Sequence, residues 1–201
     1  MVARSLPVRA SGALTPASSP PVRTLPGWWV ALNLIGYQVG WLVTVYGATH
    51  GLSWLGPVAV LPWLAMHLAL SSRPAGSATL LMLALAYGAV QENMIFQLGL
   101  VVYPDSPGGV PFWMMALWPL FATTLSVSLR WFRTRAMFAG LAGALLGPLA
   151  YWAGAAAGAL VLPDTPSALA ALAMAWGVAF PVLLRLASWL EPSIAVAAAR
   201  N

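Results

Sequence analysis

GAVQENMIFQLG, residues 88–99, breaks an otherwise apolar run that extends from 77 to 102. Gln91, Glu92 and Asn93 stand in a row, and Gln97 follows one turn later. An apolar stretch of more than about 18 residues reads as a transmembrane helix. The run therefore sets the fold, and its polar interruption marks a candidate site.

Five further runs of the same kind flank it, at about 28–48, 54–71, 110–130, 136–161 and 167–190. The chain is 61% hydrophobic and 6% charged, against about 25% charged in a soluble domain. So few charges cannot cover a surface in water. The sequence predicts an all-α, polytopic membrane helix bundle of six transmembrane helices, forming one domain over 28–190. Short connections make successive helices antiparallel neighbours. Residues 1–27, rich in Pro, Ser, Ala and Arg, read as a disordered cytoplasmic tail, and 191–201 as a short cytoplasmic C-terminal tail. A signal peptide fits 1–27 less well, because the first apolar run is too long for it.

The net charge is +5 and all nine basic residues are arginine. In a soluble protein this balance would suggest a nucleic-acid partner. Here the arginines alternate between connections. Arg4, Arg9 and Arg23 precede helix one, Arg73 lies between helices two and three, and Arg130, Arg133 and Arg135 lie between four and five. The connections at 49–53, 103–109 and 162–166 carry none. This positive-inside asymmetry places both termini in the cytoplasm, with Asp105 and Asp164 on the outer side. Basicity is thus topological, and no nucleic-acid partner is expected. Arg130, Trp131, Arg133 and Arg135 are read as contacts to anionic lipid headgroups. Trp28, Trp29, Trp54, Trp113, Trp131 and Trp189 fall near helix ends, where indole rings anchor at the interface.

Helix five carries Gly140, Gly143, Gly147, Gly154 and Gly158 at spacings of three, four and seven, and helix one carries Gly36 and Gly40. Such stripes allow close helix packing within one chain. Pro62, Pro119, Pro148 and Pro181 lie mid-helix and are expected to kink it. GPVA at 56 and GPLA at 147 form a faint echo, too short to establish an inverted repeat.

A rise of about 1.5 Å per residue across a core of about 30 Å gives each polar residue a depth. Asn33, His67, Thr123, Thr124 and Ser126 fall in an inner layer, and Gln91, Glu92, Asn93 and Tyr151 in an outer one. Gln38 lies between, with Tyr37 beside it on the chain. Gln91, Glu92 and Asn93 project across roughly 200° of helix circumference, so helix three must be central or line a polar pocket. A charged carboxylate at this depth costs about 2.5–3.5 kcal/mol on insertion scales. Glu92 is therefore either protonated or bathed by a water-filled cavity, and serves either a hydrogen-bond network or a ligand- or proton-handling site. Gln38 and Tyr151 are its expected partners.

The remaining candidates have plainer readings. Thr123 and Thr124 can back-bond to their own helix. His67 stands alone, with no HxxH or HExxH spacing, so no metal site is expected. The absence of Cys excludes disulfides and thiolate chemistry. No Gly-rich phosphate motif is present, and the sequence names no catalytic residue and no cofactor. A lipid-modifying enzyme would need Glu92 and His67 as an acid–base pair, and their depths differ by about 10 Å. Two readings stay open beside it: a protein that binds a lipid-like or small amphipathic molecule, and a proton-coupled transporter using Glu92.

NLIGYQVGW from Asn33, LWPLFATTLSVSLRW from Leu117 and GALLGPLAYWAGAAAG from Gly143 together resemble a family of small bacterial inner-membrane proteins classed as a domain of unknown function. The resemblance covers about residues 28–190. It implies six helices in the inner membrane and no defined activity, with a link to membrane-lipid or oxidative-stress physiology. Relatives often carry Asp at the position of Glu92, which keeps a carboxylic acid. Many carry Asn-His where this chain has Ser126 and Val127, so no imidazole role transfers to that turn.

Overall fold

The computed structural model describes residues 27–191. The expected assignments for 1–26 and 192–201, including those on Arg4, Arg9 and Arg23, lie outside the described residues. Within them the chain forms six α-helices: α1 (Gly27–Thr49), α2 (Leu55–Leu70), α3 (Pro74–Gln97), α4 (Phe112–Leu125), α5 (Ala136–Ala156) and α6 (Thr165–Leu190). A 3₁₀ turn, Arg130–Thr134, links α4 to α5. Four helices, α1, α3, α5 and α6, are long and apolar enough to cross a membrane. The other two, α2 and α4, are apolar but shorter, at 16 and 14 residues. Large apolar side chains such as Leu145, Val90 and Met174 face outward, as a hydrocarbon solvent allows and water does not.

Helix ends differ from expectation where a specific contact stops the helix. α3 ends at Gln97 rather than near 102, and α5 at Ala156 rather than near 161. Gly99 and Gly158 adopt φ of +69° and +88°. Leu100 N–H reaches back to Ile95 C=O, and Ala159 N–H to Gly154 C=O. Both ends are Schellman motifs, which need a residue without Cβ at the left-handed position. α4 stops at Leu125 rather than near 130, because side chains there take over its last carbonyls: Arg133 Nε donates to Leu125 O at 3.0 Å.

The two Schellman ends reveal a repeat absent from the sequence-level reading. GLVVYPDSP follows α3 from Gly99, and GALVLPDTP follows α5 from Gly158. Val102 and Val161, at equivalent positions, pair as an antiparallel bridge through two hydrogen bonds of 2.9 and 2.8 Å. Pairing of equivalent residues across an antiparallel bridge is a local two-fold relation. The relation extends into the helices. Gly88 lies under the Trp118 ring and Gly147 under the Trp176 ring, and the two indoles stack at 4.9 Å and 11°. Phe121 meets Phe180 at 5.8 Å. The hairpin α3–α4 is thus echoed by α5–α6.

The echo is broken on one side. α3 packs on α6, whereas α4 and α5 stand apart, and α1 packs on α4 and α2 instead. The glycine stripe of α5 serves its own hairpin: Gly143 lies against the Trp176 backbone carbonyl, and Gly140 faces Gly177. On α1, Gly36 receives the Trp63 ring and Gly40 the Leu120 side chain.

Candidate functional site

The gap left by the broken two-fold is a cavity of about 450 Å³ between α1, α4 and α5, floored by Trp176 and Phe180 of α6. Its walls are mostly aliphatic and aromatic, and Glu92 is the one charged residue among its lining residues. Along α1 the lining runs from Leu34 to Val45, a length of about 16 Å.

Glu92 is fully buried and receives three donors. Tyr103 Oη donates to Oε2 at 3.0 Å, Trp118 Nε1 donates to Oε1 at 3.2 Å, and the Tyr151 hydroxyl donates to Oε1. An indole N–H can only donate. Oε1 is therefore an acceptor in either protonation state, and a proton on the carboxyl belongs on Oε2, facing Tyr103. Among the described residues Glu92 has no ion pair; that of Arg133 with Glu191 lies elsewhere.

Tyr151 is the expected partner that reaches Glu92. Gln38 lines the same cavity without bonding to Glu92, as do Tyr37 and Thr124. Tyr37 packs edge-on against Phe121 at 6.2 Å. The two other donors, Tyr103 and Trp118, escaped the sequence reading. Tyr103 follows the end of α3 and counted as loop, and Trp118 sits mid-helix within an apolar run. Its depth was the available signal, since interface tryptophans gather at helix ends.

The rest of the expected set lies outside this cluster. Asn93 is exposed and donates to Ala89 O of its own helix at 2.8 Å. Asn33 is fully buried and fastens α1 to the end of α4: Nδ2 donates to Thr123 O at 3.3 Å, and Oδ1 accepts from Ser128 Oγ at 2.8 Å. Thr123 and Thr124 donate to Leu120 O and Phe121 O. Thr123 also accepts from Trp63 Nε1 at 3.3 Å. His67 is buried on α2, away from Glu92, and its Nδ1 has no hydrogen-bond partner among the described residues. Among those residues no three His, Asp or Glu side chains gather to hold a metal ion.

The arginine segment divides. Arg135 is exposed, its guanidinium 4.1 Å from the centre of the exposed Trp131 ring. Arg133 turns inward instead. It donates to Leu125 O, Glu191 O and Ser126 Oγ, and its Nη2 lies 3.9 Å from Glu191 Oε2. Burial lowers its pKa, against the opposing pull of Glu191. Glu191, at the assigned tail boundary, is itself buried and accepts from Ser77 Oγ at 2.7 Å. Arg130 is partly exposed, with Nη1 buried and lacking a hydrogen-bond partner among the described residues. Trp113 also turns inward, fully buried with Nε1 on Asp105 Oδ2 at 3.1 Å, rather than anchoring at an interface. Asp105 Oδ2 accepts from Ser53 Oγ as well, at 2.6 Å.

An all-α bundle with four helices fit to span a membrane, and an apolar cavity closed by one carboxyl cluster, defines a helical protein of membrane type. The family model described as "Protein of unknown function (DUF2878)" matches residues 30–182, and the chain belongs to that family. Every residue lining the cavity lies within the matched segment. No curated protein and no solved structure matches the chain.

Proposed function

We propose that this is a multi-pass protein of a bacterial inner membrane that holds a lipid-like or small amphipathic molecule in the cavity between α1 and α5. All six helices cross the bilayer, and the termini and the 130–135 segment face the cytoplasm. Residues 28–190 form the single transmembrane domain. The observation that carries the reading is the cavity: about 450 Å³, about 16 Å long, apolar and aromatic along its length, with one carboxyl cluster. That volume falls within the roughly 300–1,000 Å³ of ligand pockets, which pair apolar walls with few polar groups.

Binding is favoured over proton-coupled transport by the character of both ends. Leu129, Phe132 and Ala142 line one end, and Val45, Trp113 and Leu160 the other. α1 and α5 lie on either side of the cavity without packing extensively on each other, so entry is from the bilayer. The arginine end, with Arg135 on Trp131, meets anionic headgroups. The family resemblance extends this reading to membrane-lipid or oxidative-stress physiology.

The test uses the cavity's own indoles, Trp41, Trp113, Trp118 and Trp176. Protein in nanodiscs is exposed to lipids brominated along the acyl chain, and tryptophan quenching is compared with that of a variant whose cavity is filled by Ala150→Phe. Saturable quenching lost in the variant supports the reading; equal quenching in both overturns it.

A further inference from the structure

Corresponding residues of the two hairpins meet along one line: Val102 with Val161, Glu92 with Tyr151, Trp118 with Trp176 and Phe121 with Phe180. Contacts between corresponding residues lie on the axis of a two-fold relation. On one side of that axis α4 and α5 stand apart around the cavity, and on the other α3 and α6 are packed. The packed side is the cavity's counterpart. Ala84 and Gln91 of α3 correspond to Gly143 and Ala150, which line the cavity from α5. Phe180 and Leu183 of α6 correspond to Phe121 and Thr124, which line it from α4.

One side chain does not suit the packed arrangement. At about 100° per residue, Gln91 falls on the stripe of Gly76, Leu80 and Ala84. Gly76 abuts the Leu190 carbonyl, and Leu80 and Ala84 share an apolar cluster with Leu183, Leu184 and Ala187 of α6. Gln91 is 4% exposed, and its amide nitrogen and oxygen both lack a hydrogen-bond partner among the described residues. A buried amide left in this state opposes the contact that buries it.

We propose that the α3–α6 interface is a second lateral binding site, closed in this arrangement, for the same class of lipid-like or small amphipathic molecule as the cavity. A rocking of one hairpin against the other about the shared axis parts α3 from α6 and brings α5 towards α4. The axial contacts survive the motion because they lie at its pivot, and the apolar area released on one side is replaced on the other. Opening presents the Gln91 amide, donor and acceptor both, to the head of the bound molecule. The two sites open to the bilayer in alternation. The ligand rests on the lipid-binding reading above, whereas the motion does not.

Two measurements on the full chain in nanodiscs separate the motion from the ligand. The chain has no Cys, so spin labels are introduced as cysteine pairs at exposed positions: Val90 with Met174 across α3–α6, and Leu42 with Leu145 across the cavity. The parent should show two distances for each pair. Ala150→Phe, which keeps the cavity side apart, should leave only the short Val90–Met174 distance and the long Leu42–Leu145 distance. Gln91→Leu, which removes the unpaired amide, should do the same. A single distance for both pairs in the parent, or variants that lengthen both pairs together, overturns the motion and the second site. Occupancy is mapped with a phosphatidylcholine that carries a diazirine on its acyl chain. Adducts on Ala84 and Leu183, both fully buried here, are expected in the parent and lost in Gln91→Leu. Adducts on the cavity residues Leu34 and Phe121 with none on Ala84 or Leu183 overturn the second site alone. If neither set is labelled, the lipid-binding reading falls, and the ligand assigned here falls with it.

Discussion

Glu92 and Tyr151 stand 59 residues apart at equivalent positions of two successive hairpins, and they bond to each other. The same separation relates Val102 to Val161. A two-fold relation brings equivalent positions face to face, and a duplicated sequence would bring identical side chains there. This chain has placed an acceptor in one copy and a donor in the other. The carboxyl is thereby satisfied within the bundle without a cation.

Glu92→Gln is expected to fold like the parent. Its amide oxygen accepts from Trp118 and Tyr151, and its NH₂ donates to the Tyr103 hydroxyl, which can reverse its role. Glu92→Leu leaves three buried donors without an acceptor, at about 1–3 kcal/mol each before relaxation. A thermal melt in detergent should show the Leu variant several degrees below the parent. A Leu variant melting with the parent would mean that the three contacts do not stabilise the fold.

The glycine stripe of α5 separates into positions that must be small and positions that need not be. A Cβ at Gly143 would collide with the Trp176 backbone carbonyl, whereas one at Gly154 would come within 3.4 Å of a movable Leu160 side chain. Gly143→Ala should therefore lower the melting temperature and weaken the α5–α6 contact. Gly154→Ala should be close to neutral, since relief of backbone entropy offsets the tight contact. Equal melting temperatures for the two variants would contradict this division.

Hydropathy made the apolar runs legible because a transmembrane segment is defined by composition and length. The places where those runs stop were less so: Gly99 and Gly158 act through a backbone dihedral and a hydrogen bond that composition does not register. The candidate site was legible as far as Glu92 and Tyr151, since a buried carboxyl stands out against an apolar run. Tyr103 and Trp118 belong to segments that are remote in sequence or look like ordinary apolar helix. Arg133 shows the opposite error. Its position in a basic connection reads as surface, but its guanidinium fills the hydrogen-bonding needs of two helix ends.

Arg133 and Arg135 are two residues apart and should respond differently to loss of charge. Arg133→Gln removes hydrogen bonds to Leu125 O, Glu191 O and Ser126 together with the ion pair to Glu191. It should destabilise by about 1–3 kcal/mol, the range for leaving buried groups unpaired. Arg135→Gln removes an exposed contact and should stay within about 0.5 kcal/mol. Thermal melts of the two variants at one ionic strength give the comparison. A larger loss in Arg135→Gln would show that headgroup contact outweighs the internal network.

Filling the gap between α4 and α5 offers a test of why that gap exists. Ala150 lines the cavity from α5, at the position equivalent to the buried Gln91 of α3. A cavity that is only a packing defect costs stability, so Ala150→Phe would bury new apolar surface at roughly 25 cal/mol per Å² and raise the melting temperature. A cavity that holds a lipid is already lined by contacts to it, and the same substitution exchanges ligand contacts for side-chain contacts. The expected outcome in lipid nanodiscs is therefore a melting temperature near the parent's. In delipidating detergent, where the ligand is stripped, Ala150→Phe should melt above the parent. A variant that is more stable by the same margin in both media would make the cavity a defect rather than a site.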